Sequence, residues 1–103
     1  MSITVVATIT PKPDRYDVVR DAFAEAVPKV HEEDGCELYA LHTGKGVLVM
    51  VERWRDGAAL KAHGAGTTFN QLSESVKEDL AEPLVVHILE PLPAGDAAKG
   101  TLS

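Results

Sequence analysis

The stretch Val47-Leu48-Val49-Met50-Val51-Glu52-Arg53-Trp54 constrains the fold more than any other part of the chain. Its residues alternate as those of a strand do, and successive side chains of a strand point to opposite faces of a sheet. Leu48, Met50, Glu52 and Trp54 share one face, while Val47, Val49, Val51 and Arg53 share the other. Both faces carry apolar residues. In Ile3 to Ile9, likewise, Ile3, Val5, Ala7 and Ile9 oppose Thr4, Val6 and Thr8. In Leu84 to Leu89, Leu84, Val86 and Ile88 oppose Val85, His87 and Leu89. Such a sheet needs cover on two sides. A chain of 103 residues builds one domain, and a single helical layer on a single sheet is about all it supplies. At roughly 25 cal/mol per Å2 of apolar surface, the second face drives association, and a face-to-face homodimer is expected.

Between the strands the period changes. Tyr16, Val19, Phe23, Val27 and Val30 recur at steps of three and four, an amphipathic helix with Asp14 as its expected cap. Pro28 removes a backbone donor inside that pattern, so the helix is predicted to end near Ala26, with a separate turn from Pro28 to Glu33. Cys36 to Thr43 and Val47 to Trp54 flank Gly44-Lys45-Gly46 and read as a hairpin. Asp56 is expected to cap a short helix that stops at Gly64-Ala65-Gly66. Thr68 and Gln71 have capping-box spacing for a further helix, with Phe69, Leu72, Val76 and Leu80 as its buried stripe and Glu82-Pro83 as its end. The order strand, helix, strand, strand, helix, strand is the split β-α-β arrangement of a ferredoxin-like α+β fold with an antiparallel sheet. Residues 1–93 form the expected domain, and the small, polar residues 94–103 a flexible tail.

Charge narrows the function classes. The chain has 10 Lys and Arg against 16 Asp and Glu, a net charge of −6, and no basic stripe. Nucleic acid and anionic membrane surfaces are therefore not expected partners. No apolar run approaches the ~20 residues of a membrane span. Cys36 is the sole cysteine, the N-terminus lacks a secretory pattern, and a cytoplasmic setting is expected. The sequence contains no C-x-x-C, H-x-x-x-H, serine elbow or nucleotide loop, so neither a metal nor an organic cofactor is expected.

The polar residues with chemical potential gather around Trp54. His63 follows Leu60 by one helical turn and so faces inward, with Gly64 and Gly66 beside it. An imidazole exchanges protons near neutral pH. His63 is thus a candidate catalytic base, with a buried, carbonyl-bonded histidine as the alternative. Trp54 is either core or the wall of a site for a flat ligand. Glu52, on the same strand face, is either paired with an arginine or a backbone amide, or orients His63, because a carboxylate on an apolar face is costly alone. Phe69 and Tyr39 are core or pocket residues, and Tyr39 has a hydroxyl to offer. His31, in the polar turn with Glu32, Glu33 and Asp34, reads as solvated, His42 as a rim residue and His87 as an interface residue.

Glu33-Asp34-Gly35-Cys36 leading to Tyr39, then Val51-Glu52-Arg53-Trp54, Ala59-Leu60, His63 and Phe69, resembles the antibiotic biosynthesis monooxygenase family of dimeric α+β barrel proteins, over about residues 3–90. The resemblance implies a ferredoxin-like protomer, a homodimer and a pocket between sheet and helices. Some members of that family oxidise phenols or quinols with dioxygen and no cofactor, the substrate supplying the electrons; others act in quorum-signal processing or as isomerases. A haem-degrading branch of the family uses an Asn, a Trp and a His; the matching places here hold Ala7 or Thr8, His63, and Leu72 or Ser73, so haem breakdown is not implied. The expected function is oxidation of a small aromatic or quinol-like substrate, with His63 as base, Trp54, Phe69 and Tyr39 around the substrate and Glu52 in support. A non-catalytic dimer that binds a small apolar ligand, or a stress-related protein of the same fold, is the alternative.

Overall fold

A computed structural model of the protein describes residues 2–102. Four strands, β1 (Ile3–Ile9), β2 (Cys36–Thr43), β3 (Leu48–Trp54) and β4 (Val85–Leu89), form one sheet in the order β2-β3-β1-β4. All neighbours are antiparallel. Three α-helices complete the fold: α1 (Tyr16–His31), α2 (Gly57–Ala65) and α3 (Thr67–Val76). This is the ferredoxin-like α+β architecture that the element order implied.

The register sorts the faces. Ile3, Val5, Ala7 and Ile9 of β1 stand opposite Trp54, Glu52, Met50 and Leu48 of β3, on the helix side. Tyr39 of β2 stands opposite Glu52. Val19, Phe23, Ala26 and Val30 of α1 and Leu72 and Val76 of α3 complete the core. The other face carries Val6, Val49, Val51 and Ala40, with Leu38 opposite Arg53 and His42 opposite Val49. On β4 the same face carries Val85, His87 and Leu89. Among the described residues no helix lies over that face. The helical layer also stops short of β4, where Val86 and Ile88 point to the helix side yet remain exposed.

Three local expectations need correction. α1 does not end near Ala26; it runs through Pro28 to His31. Pro28 and Ala24, whose carbonyl loses its partner, both lie on the exposed face, where water replaces the missing bond. Val27 and Val30 pack against the core and hold the last turn. Asp14 caps nothing, because Pro13–Arg15 form a 3-10 turn before α1. The capping box of Thr68 and Gln71 is not formed either, because the N-cap of α3 is Gly66, two residues before Thr68. That helix ends at Val76, and a 3-10 turn, Lys77–Asp79, leads to Leu80, which bridges to Pro11.

Asp56 does cap α2, its Oδ1 accepting from the Ala59 amide at 2.9 Å. The hairpin closes through the Gly44 amide on the Val47 carbonyl at 2.9 Å, and only Gly46 of its glycines takes a positive φ, 75°. Within the C-terminal segment, Asp96 accepts from the amides of Ala98 and Lys99 in a local turn.

Gly35 is the glycine on which the site depends. Its φ is 84°, and a Cβ there would collide with the Cβ of Ala59 on α2. Gly35→Ala is therefore expected to destabilise the fold by about 1–3 kcal/mol through combined strain and overpacking. Urea titration checks this, and an unchanged midpoint would mean that the turn relaxes freely.

Candidate functional site

The helices meet the sheet around a cavity of about 150 Å3. Val5, Ala7 and Met50 form part of its sheet wall, Phe23 comes from α1, and Leu60, Gly64 and Phe69 belong to the α2 and α3 side. Leu84 and the half-exposed Val86 mark the side where the helical layer ends. Three residues with polar groups line this apolar space: Tyr39, Glu52 and His63. Each is less than a tenth exposed.

His63 sits in an aromatic cage. Its ring lies 4.5 Å from that of Trp54 at a tilt of 30°, 5.5 Å from Tyr39 and 5.4 Å from Phe69. Its Nδ1 is 2.8 Å from Oε1 of Glu33. A carboxylate only accepts hydrogen bonds, so Nδ1 carries the proton and Nε2 holds the free lone pair of the neutral ring. No side chain bonds Nε2 among the described residues, and that nitrogen is not sealed off.

Trp54 is fully buried and is not part of the cavity lining. In place of walling a ligand directly, it backs the imidazole and donates its Nε1–H to Oε1 of Glu52 at 2.9 Å. Glu52 is thus paired neither with an arginine nor with a backbone amide. The pairing follows from the alternation of β3, because residues two apart share a face. Burial pushes the Glu52 carboxyl above the ordinary carboxylate range, against the opposing pull of the Trp54 bond and of His63. Burial likewise raises the Tyr39 phenol, helped by the charges of Glu52 and Glu33, so it stays a hydroxyl at neutral pH. Burial also raises the Cys36 thiol, which fits the packed, unreactive cysteine expected.

The Glu52 shift has a consequence for stability. A carboxyl whose folded pKa lies above its unfolded one binds more protons folded than unfolded between the two values. Stability therefore falls as pH rises through that window. Gln at 52 keeps an oxygen for the Trp54 N–H and carries no charge to desolvate. Glu52→Gln is expected to raise Tm at pH 7 and to leave it nearly unchanged at pH 4, where the wild-type carboxyl is already protonated in the fold. Thermal melts at both pH values read the difference; a lower Tm at pH 7 would mean that the charge is held by something other than its Trp54 bond.

Sequence reasoning brought Tyr39, Glu52, Trp54, His63 and Phe69 together correctly in space, but passed over Glu33 as part of a polar turn. The turn is clamped to the corner between β3 and α2. Arg55 donates to both oxygens of Asp34 at 3.1 and 3.0 Å, and its amide donates to the Gly35 carbonyl at 2.8 Å. The exposed ion pair is worth little in itself; its effect is to fix where Glu33 stands. The signal available in the sequence was Glu33-Asp34-Gly35, an acidic pair before an obligatory glycine. His31, expected in a solvated turn, is instead the last residue of α1, and its Nε2 lies 3.0 Å from the Tyr39 carbonyl, so it ties α1 to β2. His42 is exposed, and His87 stands on the uncovered sheet face. No group of three or more His, Cys, Asp or Glu is placed to hold a metal among the described residues. No helix among them is long and apolar enough to cross a membrane.

Known proteins are similar to this chain in sequence and fold. "Probable quinol monooxygenase YgiN" of Escherichia coli is 35% identical over 102 residues, covering 86% of this chain and 97% of its own. Rv0793 of Mycobacterium tuberculosis is 31% identical over 97 residues, 92% of this chain and 96% of its own. Its solved structure superposes with a TM-score of 0.85 over 93% of this chain and all of that one. PA3566 of Pseudomonas aeruginosa superposes with a TM-score of 0.82 at 29% identity, covering 88% of this chain and 94% of that one. The sequence profile described as "Antibiotic biosynthesis monooxygenase" matches residues 2–75. With that match over most of its length, and relatives aligned almost end to end, this chain belongs to the antibiotic biosynthesis monooxygenase family.

Proposed function

We propose that this protein is a monooxygenase that needs no cofactor and oxidises a small, single-ring quinol with dioxygen, with His63 as the base. The observation that carries the reading is the cavity of about 150 Å3, apolar except for His63, Glu52 and Tyr39. An apolar cavity of roughly that size accommodates a benzene-sized ring. The three polar groups supply what a hydroxylated ring requires: a lone pair on His63 Nε2, the Glu52 oxygen that Trp54 leaves unbonded, and the Tyr39 hydroxyl as donor. Phe69 adds an aromatic wall, and Trp54 holds both His63 and Glu52 in place. The name carried by the Escherichia coli relative points to the same substrate class.

For the simplest quinol, unsubstituted hydroquinone, the balanced reaction takes one hydroquinone and one dioxygen to one hydroxybenzoquinone and one water. One oxygen atom enters the ring and the other leaves as water, all four electrons coming from the quinol. Removing a hydroxyl proton makes the ring electron-rich enough to reduce dioxygen directly. The protein's tasks are to take that proton, hold the ring and keep bulk water away. Oxygen uptake with a panel of single-ring and two-ring hydroquinones tests the reading, with mass spectrometry for one heavy oxygen atom from isotopically labelled dioxygen in the product. Uptake without incorporation points to a simple oxidase. Ligand binding with no uptake on any substrate favours a non-catalytic binding protein.

A second copy of the chain covers the open sheet face in this reading. Val6, Val49 and Val51 form an apolar row there, continued by Val85 and Leu89, each 44% exposed. The wild type is expected to sediment as a dimer, and Val51→Asp, which puts a charge at the centre of that row, as a monomer or a far weaker dimer. A monomeric wild type at micromolar concentration would remove this part of the proposal.

A further inference from the structure

Two carboxylates lie close to His63, and their surroundings differ. Glu52 is on the cavity side and buried, with one oxygen bound to Trp54. Glu33 is on the opposite side, in a surface groove of about 380 Å3 that His63 also lines, together with Asp34, Arg55, Thr67 and Thr68. Its side chain is 24% exposed against 5% for that of His63. His63 therefore stands between the apolar cavity and the surface groove, and Glu33 is on the groove side with its carboxylate on Nδ1.

We propose that Glu33 is the positioning residue of the buried base: it holds His63 in the Nδ1–H tautomer, leaves Nε2 as the proton acceptor on the cavity side, and neutralises the imidazolium formed there. The inference rests on the reading of His63 as the base, and it adds a residue that this reading did not require. The groups facing His63 are Glu33 from the turn before β2, Tyr39 from β2 and Glu52 from β3, with Asp34 and Arg55 paired to each other in the outer groove. Of these, only Glu33 makes a hydrogen bond to the imidazole. Its side chain is partly exposed to the groove, so its charge costs less than a fully buried one. The face of Trp54 adds a further preference for a cation at 63.

The proton account closes inside the cavity. A substrate hydroxyl gives its proton to Nε2, and the Nδ1 proton stays between His63 and Glu33. When dioxygen is reduced, Nε2–H returns the proton to the departing oxygen, and both hydrogens lost by the quinol leave in water. No net proton crosses the protein. Glu33 has to hold a transient imidazolium, not conduct a proton.

The test is 15N NMR of the full-length protein with an oxygen-uptake assay alongside, on wild type, Glu33→Gln and Glu33→Asp. His63 is expected as the Nδ1–H tautomer in the wild type. Gln accepts the same hydrogen bond without the charge, so Glu33→Gln is expected to keep the tautomer and to lower the pH at which His63 takes its second proton. Its kcat falls on the order of tenfold to a hundredfold, with KM within about twofold. Glu33→Asp recovers part of both. An Nε2–H tautomer in the wild type overturns the proposal even if every variant misfolds. So does a His63 titration that Glu33→Gln leaves unmoved. The expected tautomer and titration in a protein without oxygen uptake uphold the pairing and overturn only the catalytic reading of His63.

Discussion

His63→Gln is expected to lower kcat/KM for quinol oxidation by roughly a hundredfold to ten-thousandfold, the range associated with a positioned general base. Glutamine retains a donor for Glu33 and similar bulk against Trp54, so the fold and the cavity persist. What it lacks is a basic lone pair that becomes a cation on accepting a proton. The loss falls on kcat, because the hydroxyl still finds a hydrogen-bonding partner in the ground state. Trp54, the only tryptophan of the chain, lies 4.5 Å from the ring at position 63 and reports ligand binding by its fluorescence. Anaerobic titration with a hydroquinone is expected to give similar affinities for wild type and variant. An activity within about threefold of wild type removes His63 as the base; a large fall in affinity instead assigns it to binding.

The largest expected stability effect is that of Trp54→Ala, about 3–5 kcal/mol. Three losses add at this position. The side chain is fully buried, so the substitution opens a large void beneath α2. It removes the ring on which His63 stacks. It takes away the one hydrogen bond that the buried Glu52 carboxyl holds among the described residues, leaving that group to be protonated or unpaired. For a domain whose total stability is on the order of 5–15 kcal/mol, this is a large fraction. Tm is expected to fall by roughly 12–40 °C at 4–8 °C per kcal/mol. Trp54→Phe separates the contributions, because it keeps an aromatic ring and deletes the N–H. It is expected to cost about 1–3 kcal/mol, and less at low pH, where Glu52 is neutral. Calorimetric melts of both variants decide the matter, and a Trp54→Ala protein melting within a few degrees of wild type would show that α2 collapses onto the gap.

Glu33 and Pro28 show where reading the chain in order falls short. Glu33 lies 30 residues before His63, inside a run of acidic residues that by composition belongs on a solvated surface. Its partner follows from the clamp of Arg55 on Asp34 and from the fit of Gly35 against Ala59, both contacts between distant segments. Pro28 carries a strong local penalty, yet the helix passes through it because the affected carbonyl faces water while Val27 and Val30 are held by the core. Local propensity was overruled there by tertiary packing. For Thr68 the box was present in letters, but Gly66 and Thr67 had already begun the helix.

Periodicity sufficed for the element types, for the two apolar faces of the sheet and for the inward placement of His63, because strand and helix repeats depend only on near neighbours along the chain. It likewise placed Glu52 and Trp54 on one side of β3. The cavity between sheet and helices and its volume of about 150 Å3, the withdrawal of Trp54 behind the imidazole and the partnership of Glu33 with His63 came from packing alone. Those features depend on angstrom-scale distances between segments far apart in sequence, which are set by strand register, a clamped turn and the seating of α2 on β3.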